Sequence, residues 1–348
     1  NLKKSIIYLS LICIVAGASS CKKKSDNANP TLKPVSDDNF VDVDSDEELP
    51  YEKISFKIGL LKDSSAVSFA SLIDSTTQGT AANLYEFKFA KSEEELISLL
   101  NSKSIEACVV SCATAIREYA TNKNIQLAAI TSLSSACLVE KGSQLTSLED
   151  VAGKTIYCAK ECGSNDLAFK ELLNTYGISA DNNITFVYKN TTGEIIDLLN
   201  EEENAIAIIE EPFVTYATDN IENCHVAFDL PALWSERHNN SSIVSDVVLI
   251  NKTFADNNSP SVDEFLNEYS FSCESAIANV TFTKDVLDSL NVFKKYDIQP
   301  GLVNTRIEYY DNESVNELVG NFLKILLDYK PDSINNVDSD FYYVHNVG

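Results

Sequence analysis

The chain has 348 residues and a formal charge of −25, with 27 basic side chains against 52 acidic ones. That balance carries no basic patch and excludes nucleic acid as a partner, because phosphate backbones are gripped by clustered Lys and Arg. Apolar residues make up 44% of the chain, enough for ordinary globular cores, and after the amino-terminal region no run is long and apolar enough to cross a membrane.

Lys3 and Lys4 precede an apolar run from Ile6 to Gly17, and Ala18, Ser19 and Ser20 lead into Cys21. A basic flank, an apolar core and small residues compose a secretory signal. About a dozen apolar residues are too few to span ~30 Å of hydrocarbon. The stretch resembles the bacterial lipobox, with Ala18 where that motif usually has Leu. The resemblance implies a signal peptide over 1–20 and a lipid on Cys21. The other reading is an ordinary secretory signal with an incidental Cys. Residues 21–50, opening on Lys22, Lys23 and Lys24, are rich in Asp, Ser, Asn, Glu and Pro. They cannot bury a core and are expected to form a disordered tether.

From Tyr51 on, short apolar runs alternate with helical patterns. Ile54 to Leu61 predicts a strand and Ser65 to Ile73 a helix. Tyr85 to Ala90 is a strand, and Ser92-Glu93-Glu94-Glu95 fits a capping box that opens a helix through Leu100. Ile105 to Val110 is a strand, Ala113 to Tyr119 a helix and Gln126 to Thr131 a strand. The pattern restarts with a strand over Ala136 to Lys141 and a short helix over Ser147 to Val151. Strands follow at Thr155 to Ala159, Thr185 to Tyr188, Ala205 to Ile209 and His225 to Asp229. Between them lie helices at Asp166 to Tyr176, Glu194 to Asn200 and after Pro212. A strand near Val244 to Ile250 precedes a mostly helical remainder.

Strands alternating with helices imply βαβ units and a mainly parallel sheet. Two such sets imply an α/β protein of two lobes. The first comprises 51–133 and 244–348, the second 134–243. The chain crosses between them near Leu133 to Leu138 and near Leu230 to Ser245, which makes a two-stranded hinge.

Ligands of open α/β sheets sit beyond the carboxyl ends of the strands, where helix amino termini offer free N–H groups. Four loops occupy such places: Lys62, Asp63, Ser64 and Ser65 after the first strand; Ser111, Cys112 and Ala113 after the third; Lys160, Gly163, Ser164 and Asn165; and Glu211 with Phe213. Ser132 and Thr192 at further strand ends join the candidate ligand-binding set. Each Ser taken alone reads as a helix cap, a role compatible with binding. Trp234 stands in the second crossing, where it either stacks on a ligand or packs the hinge.

Leaving aside Cys13 and Cys21, the remaining cysteines include Cys108/Cys112 and Cys158/Cys162 at C-x3-C spacing, unlike the C-x2-C pairs of zinc sites. Buried free thiols are expected, with one disulfide as the alternative. His225, His238 and His345 are the only histidines. No His-Glu-x-x-His, phosphate loop or Gly-x-Ser-x-Gly motif accompanies them.

Several stretches carry a family resemblance: Ile58-Gly59-Leu60-Leu61-Lys62, Ser147 to Ile156 with its Ser-Leu-x-Asp-x-x-Gly-Lys form, Glu211-Pro212-Phe213, Val262 to Tyr269 and Phe341-Tyr342-Tyr343. In their order and spacing the chain resembles the substrate-binding proteins of ABC importers of the nitrate, sulfonate and taurine type, related to thiamine-precursor-binding proteins. The resemblance implies a type II periplasmic-binding-protein-like fold. It also implies a small-molecule ligand in an interlobe cleft, delivery to an ABC permease and ATPase, no catalysis and no cofactor. With the lipobox, it places the protein on the outer face of a cell membrane. Where the family has Gly-Pro-Thr-Gly after the first strand, this chain has Asp63-Ser64-Ser65-Ala66, and Lys160 is followed by Glu161. Those departures disfavour a small inorganic anion and point to a neutral or partly aromatic ligand, within the sulfonates, pyrimidines and other small organic molecules that the resemblance implies. Two alternatives remain: an enzyme of thiamine- or menaquinone-precursor type on the same fold, and a ligand-sensing receptor subunit.

Overall fold

A computed structural model describes residues 52–142, 145–179, 184–330, 332 and 334–346. The expected signal peptide, Cys21 and the tether lie outside the described residues. The chain runs β1 (Ser55–Leu61), a 3-10 turn over Ser64–Phe69, α1 (Ala70–Gln78), β2 (Leu84–Ala90), α2 (Glu93–Asn101), β3 (Ala107–Ser111), α3 (Cys112–Thr121) and β4 (Ile125–Leu133). It continues with β5 (Cys137–Lys141), β6 (Thr155–Ala159), α4 (Ser164–Thr175), β7 (Thr185–Lys189), α5 (Thr192–Glu201), β8 (Ile206–Ile209), α6 (Phe213–Asn220), β9 (Cys224–Asp229) and α7 (Leu230–Arg237). The return comprises β10 (Val244–Asn251), α8 (Lys252–Asn257), α9 (Ser259–Ala278), α10 (Val280–Ser289), α11 (Gln299–Leu302), β11 (Ile307–Tyr310) and α12 (Asn312–Tyr329).

Two open sheets result, ordered β11-β4-β10-β3-β1-β2 and β7-β6-β8-β5-β9. In the first, β1 pairs in parallel with β2 and β3, while β10 is inserted antiparallel between β3 and β4. In the second, β6 is parallel to β7 and β8, and β5 runs antiparallel between β8 and β9. Most strands of each sheet therefore point one way. This gathers their carboxyl ends, and the helix starts that follow them, on one side.

The elements follow from composition. β3 and β10 are buried at every position, as central strands covered on both faces must be. Ser92, Ser111 and Thr191 each accept a hydrogen bond from the backbone N–H three residues on, satisfying a donor that the first helical turn leaves unpaired. Phe56 packs at 4.9 Å centroid separation against both Phe254 and Phe265, joining β1 to the helices of the return segment. Phe56 and Phe265, both fully buried, each contribute about 1.5–3 kcal/mol of transfer free energy.

Two elements differ from expectation. β11 forms in a stretch read as helical, because its partner is β4, distant in sequence. α7 forms inside the segment read as a plain crossing. Asp229 caps it, accepting from Ala232 N at 2.8 Å, and Pro231 sits in its first turn. The direct crossings are 134–136 and 238–243, and they touch: Ser134 N donates to Ile243 O at 2.9 Å.

Candidate functional site

The loop after β6 sets the centre of the site. Lys160 and Cys162 both have left-handed backbone, at φ 56° and 57°. The turn they make brings Gly163 so close to the Lys160 carbonyl oxygen that a Cβ at Gly163 would stand 2.9 Å from it. Left-handed conformations cost energy in non-glycine residues and concentrate where geometry serves a function. Here the turn aims the Lys160 side chain from the second lobe into the first. Its Nζ lies 3.3 Å from Asp63 Oδ2, 3.5 Å from Glu93 Oε1 and 3.6 Å from Asp246 Oδ1. Burial pushes the ammonium down, but Asp246, Asp63 and Glu93 outweigh it and hold Lys160 well above the usual lysine range.

The carboxylates are fixed by different means. Asp63 caps the turn after β1, accepting from Ser65 N at 2.9 Å and Ser65 Oγ at 2.6 Å. Burial raises its pKa, yet Lys160 and these bonds hold it below the ordinary value. Glu93 turns inward from the start of α2 and accepts from Ser111 N (2.9 Å), Ser111 Oγ (3.1 Å) and Thr114 Oγ1 (2.6 Å). Glu210 accepts from Ser245 Oγ at 3.0 Å. Asp246, within β10, is raised to about 7, first by burial, with Lys160 opposing and Glu210, Asp63 and Glu93 adding to the rise.

Around this cluster lie two cavities that share Asp63, Lys160 and Thr192 in their walls. The inner one, of about 50 Å³, is bounded by Ser64, Ser111, Gly163, Ser164, Asn165, Glu210 and Asp246. The outer one, of about 920 Å³, is bounded by Lys62, Phe89 and Glu93 from the first lobe and by Tyr188, Thr192 and Phe213 from the second. Its size falls within the roughly 300–1,000 Å³ of small-molecule sites.

The expected residues thus divide. Lys62, Asp63, Ser64, Ser111, Lys160, Gly163, Ser164, Asn165, Thr192 and Phe213 line one or both cavities. Ser65 supports Asp63 from behind. Cys112 and Ala113 are buried beneath the cleft, and Ala113 N donates to Ser164 Oγ at 3.2 Å across the lobes. Ser132 pairs with Asp246 in the sheet and lines neither cavity. Glu211 is turned away, accepting from Thr215 N and Thr215 Oγ1 at the start of α6. Trp234 is fully buried against Phe322 and His238, so its place is packing, not stacking on a ligand. Glu210, in the same strand-end loop as Glu211, lines the inner cavity, whereas Glu93 and Asp246 were missing from the expected set. The signal for Asp246 was a lone acid inside an apolar strand; Glu93 was masked by the three consecutive glutamates of a helix start.

Other contacts join the lobes beside the cleft. Arg117 Nη1 donates to Cys162 O at 2.5 Å. On another flank, Lys295 pairs with Asp197 at 2.5 Å, Tyr296 Oη donates to Gly193 O at 3.0 Å and Asn304 Nδ2 to Thr215 Oγ1 at 3.0 Å. Among the described residues the cysteines are free, including both C-x3-C pairs. No described helix is long and apolar enough to cross a membrane.

Solved structures share this architecture. An ABC transporter protein from Parabacteroides distasonis superposes with a TM-score of 0.67 at 18% identity, covering 84% of this chain and 99% of that one. The ligand-binding component of an ABC-type import system from Staphylococcus aureus, with zinc bound, gives 0.67 at 13%, covering 84% and 97%. The alkanesulfonate-binding protein SsuA from Xanthomonas axonopodis pv. citri, bound to MOPS, gives 0.66 at 14%, covering 82% and 96%. At such identities the likeness is one of fold, here the periplasmic-binding-protein-like fold. No curated protein sequence matches the chain. The family model described as NMT1/THI5 like matches residues 88–280, more than half of the chain, and the chain therefore belongs to the NMT1/THI5-like family.

Proposed function

We propose that the protein is an extracytoplasmic solute-binding lipoprotein that captures a small organic molecule between its lobes and delivers it to an ABC importer. The observation that carries this reading is the cavity of about 920 Å³ walled by helix starts and strand ends of both lobes. A ligand touching both walls favours the conformation in which they face each other, so binding and domain closure are linked. Support also comes from two of the fold neighbours, one the ligand-binding component of an ABC-type import system and the other an alkanesulfonate-binding protein. In this reading 134–243 moves against 51–133 with 244–348. Residues 1–20 form the signal peptide, 21–50 the tether, and Cys21 carries the lipid on the outer membrane face. The permease and ATPase are the protein partners.

Thermal-shift screening of sulfonates, pyrimidines, amino acids and amines tests the capture step. A ligand at a hundred times its Kd adds about 2.7 kcal/mol of stability. The bound protein should also scatter as a more compact particle. Turnover of the ligand found would replace this reading with an enzyme on the same fold. Cys21→Ala should move the protein from the membrane to the soluble fraction; retention on the membrane would remove the anchor.

A further inference from the structure

The charge inside the cleft carries a more specific statement, which rests on the solute-capture reading above. One ammonium, Lys160, faces four carboxylates: Asp63, Glu93, Glu210 and Asp246. Asp166, the remaining acid of the inner wall, is matched by Lys170 at 2.9 Å. At the outer rim Lys62, Lys91 and Lys189 stand against Glu94, Glu161 and Glu194, so the rim is balanced and the excess lies at depth.

A second, independent observation concerns Asp246. Its residue is only 4% exposed, its side chain borders the inner cavity, and among the described residues its carboxylate receives no hydrogen bond. Among the described residues its one close opposite charge is Lys160, at 3.6 Å, beyond hydrogen-bond reach. Buried carboxylates are otherwise bonded or paired, because desolvation leaves a lone charge costly. Asp63 and Glu93 meet that need with backbone and hydroxyl donors as well as Lys160; among the described residues Asp246 has only its share of the Lys160 ammonium, and Glu210 a single hydroxyl donor.

We infer that the cleft selects an organic cation, whose ammonium or guanidinium group is received by Asp246 and Glu210 beside Lys160. A sulfonate or nitrate would add a negative charge to an already acidic floor. The outer cavity, walled by Phe89, Tyr188 and Phe213, takes the carbon skeleton.

Titration calorimetry with agmatine and putrescine as cations, taurine and MOPS as sulfonates, and a neutral aminopyrimidine tests this on the full folded chain. We expect a cation to bind and both sulfonates to fail. Asp246→Asn should weaken the cation at least about thirtyfold, as removal of one partner of a buried charge pair does. Glu210→Gln, nearer the surface, gives the same direction if the first variant folds poorly. Lys160→Met separates the cases by sign: it should strengthen cation binding, whereas an anion held by Lys160 would be lost. Binding of a sulfonate or the pyrimidine with no response to either cation overturns the cation assignment and leaves solute capture standing. Silence toward every probe overturns both.

Discussion

Lys160 Nζ and Asp246 Oδ1 stand 3.6 Å apart, one on the turn after β6 and the other on β10, so this ion pair, beside those of Lys160 with Asp63 and Glu93, links the two sheets. The pair is crowded by further acids, and Asp246 is the member whose protonation this crowding shifts. Burial first, then Glu210, Asp63 and Glu93, raise it to about 7 against the pull of Lys160.

Stability should therefore depend on pH through Asp246. Its ordinary value is 3.8 and its folded value about 7. Between them the folded protein holds a proton that the unfolded chain has released, so this residue's contribution falls as pH climbs through that window. Asp63, shifted the other way, acts only in acid below its ordinary value of 3.8. Asp246→Asn removes the decline, and its urea midpoint should gain on wild type between about pH 5 and about pH 8. An equal difference at both pH values refutes the titration.

Trp234 offers a packing test. It is fully buried, and among the described residues its Nε1–H has no hydrogen-bond partner. Trp234→Phe deletes an unsatisfied donor and should cost less than about 1.5 kcal/mol. Trp234→Ala should cost about 3–5 kcal/mol. Chemical denaturation followed by circular dichroism measures both. As the only tryptophan, Trp234 should also keep its emission maximum when a ligand enters the cleft.

Two glycines predict opposite outcomes. A Cβ on Gly301 would stand 2.5 Å from Pro212 O and 2.9 Å from Pro212 Cα, so Gly301→Ala must push α11 away from the second lobe. A loss of about 1–3 kcal/mol is expected. Among the described residues, a Cβ added at Gly320 in α12 would meet nothing outside its own helix backbone within 4 Å. Gly320→Ala should stabilise by about 0.5–1 kcal/mol through helix propensity. Melting temperatures that move the same way would contradict the contact geometry.

Thiol reactivity should be split. Cys108, Cys112, Cys158, Cys224 and Cys273 are buried, whereas Cys137 and Cys162 are partly exposed. Burial pushes Cys137 up to about 12 and Cys224 to about 11. A thiol-exchange reagent at neutral pH should label Cys162 first in the folded protein and all seven only after unfolding, since the thiolate is the reactive form. Mass mapping of the labelled peptides reads this directly.

Most of the α/β pattern was legible because alternating strands and helices leave local signals: Ser111 and Thr191 cap helices, and β3 and β10 carry the apolar runs Ala107 to Val110 and Val247 to Ile250. β11 was illegible because Ile307 to Tyr310 is short and carries a charge, and only pairing with β4 makes it a strand. Helix α7 had its cap and its proline in view, but its apolar residues read as a linker. In the site, loop residues next to strand ends were found by position. Glu93 and Asp246 were not, because their roles depend on which lobe faces them across the gap, and spacing along the chain says nothing of that. Trp234 shows the converse: proximity to a crossing in sequence placed it near the ligand, and packing against Phe322 placed it elsewhere.

The contacts joining the lobes differ in kind between depth and margin. Lys295 and Asp197 pair in the open, with side chains 65% and 44% exposed, while Lys160 and Asp246 meet out of water. Ions screen charges within about 8 Å at physiological ionic strength, and reach surface pairs far more than buried ones. Added salt should loosen the outer fastening and spare the inner one. The residence time of a captured solute would then shorten with ionic strength even for a solute of no charge, which makes the salt concentration of the surrounding medium a control on release.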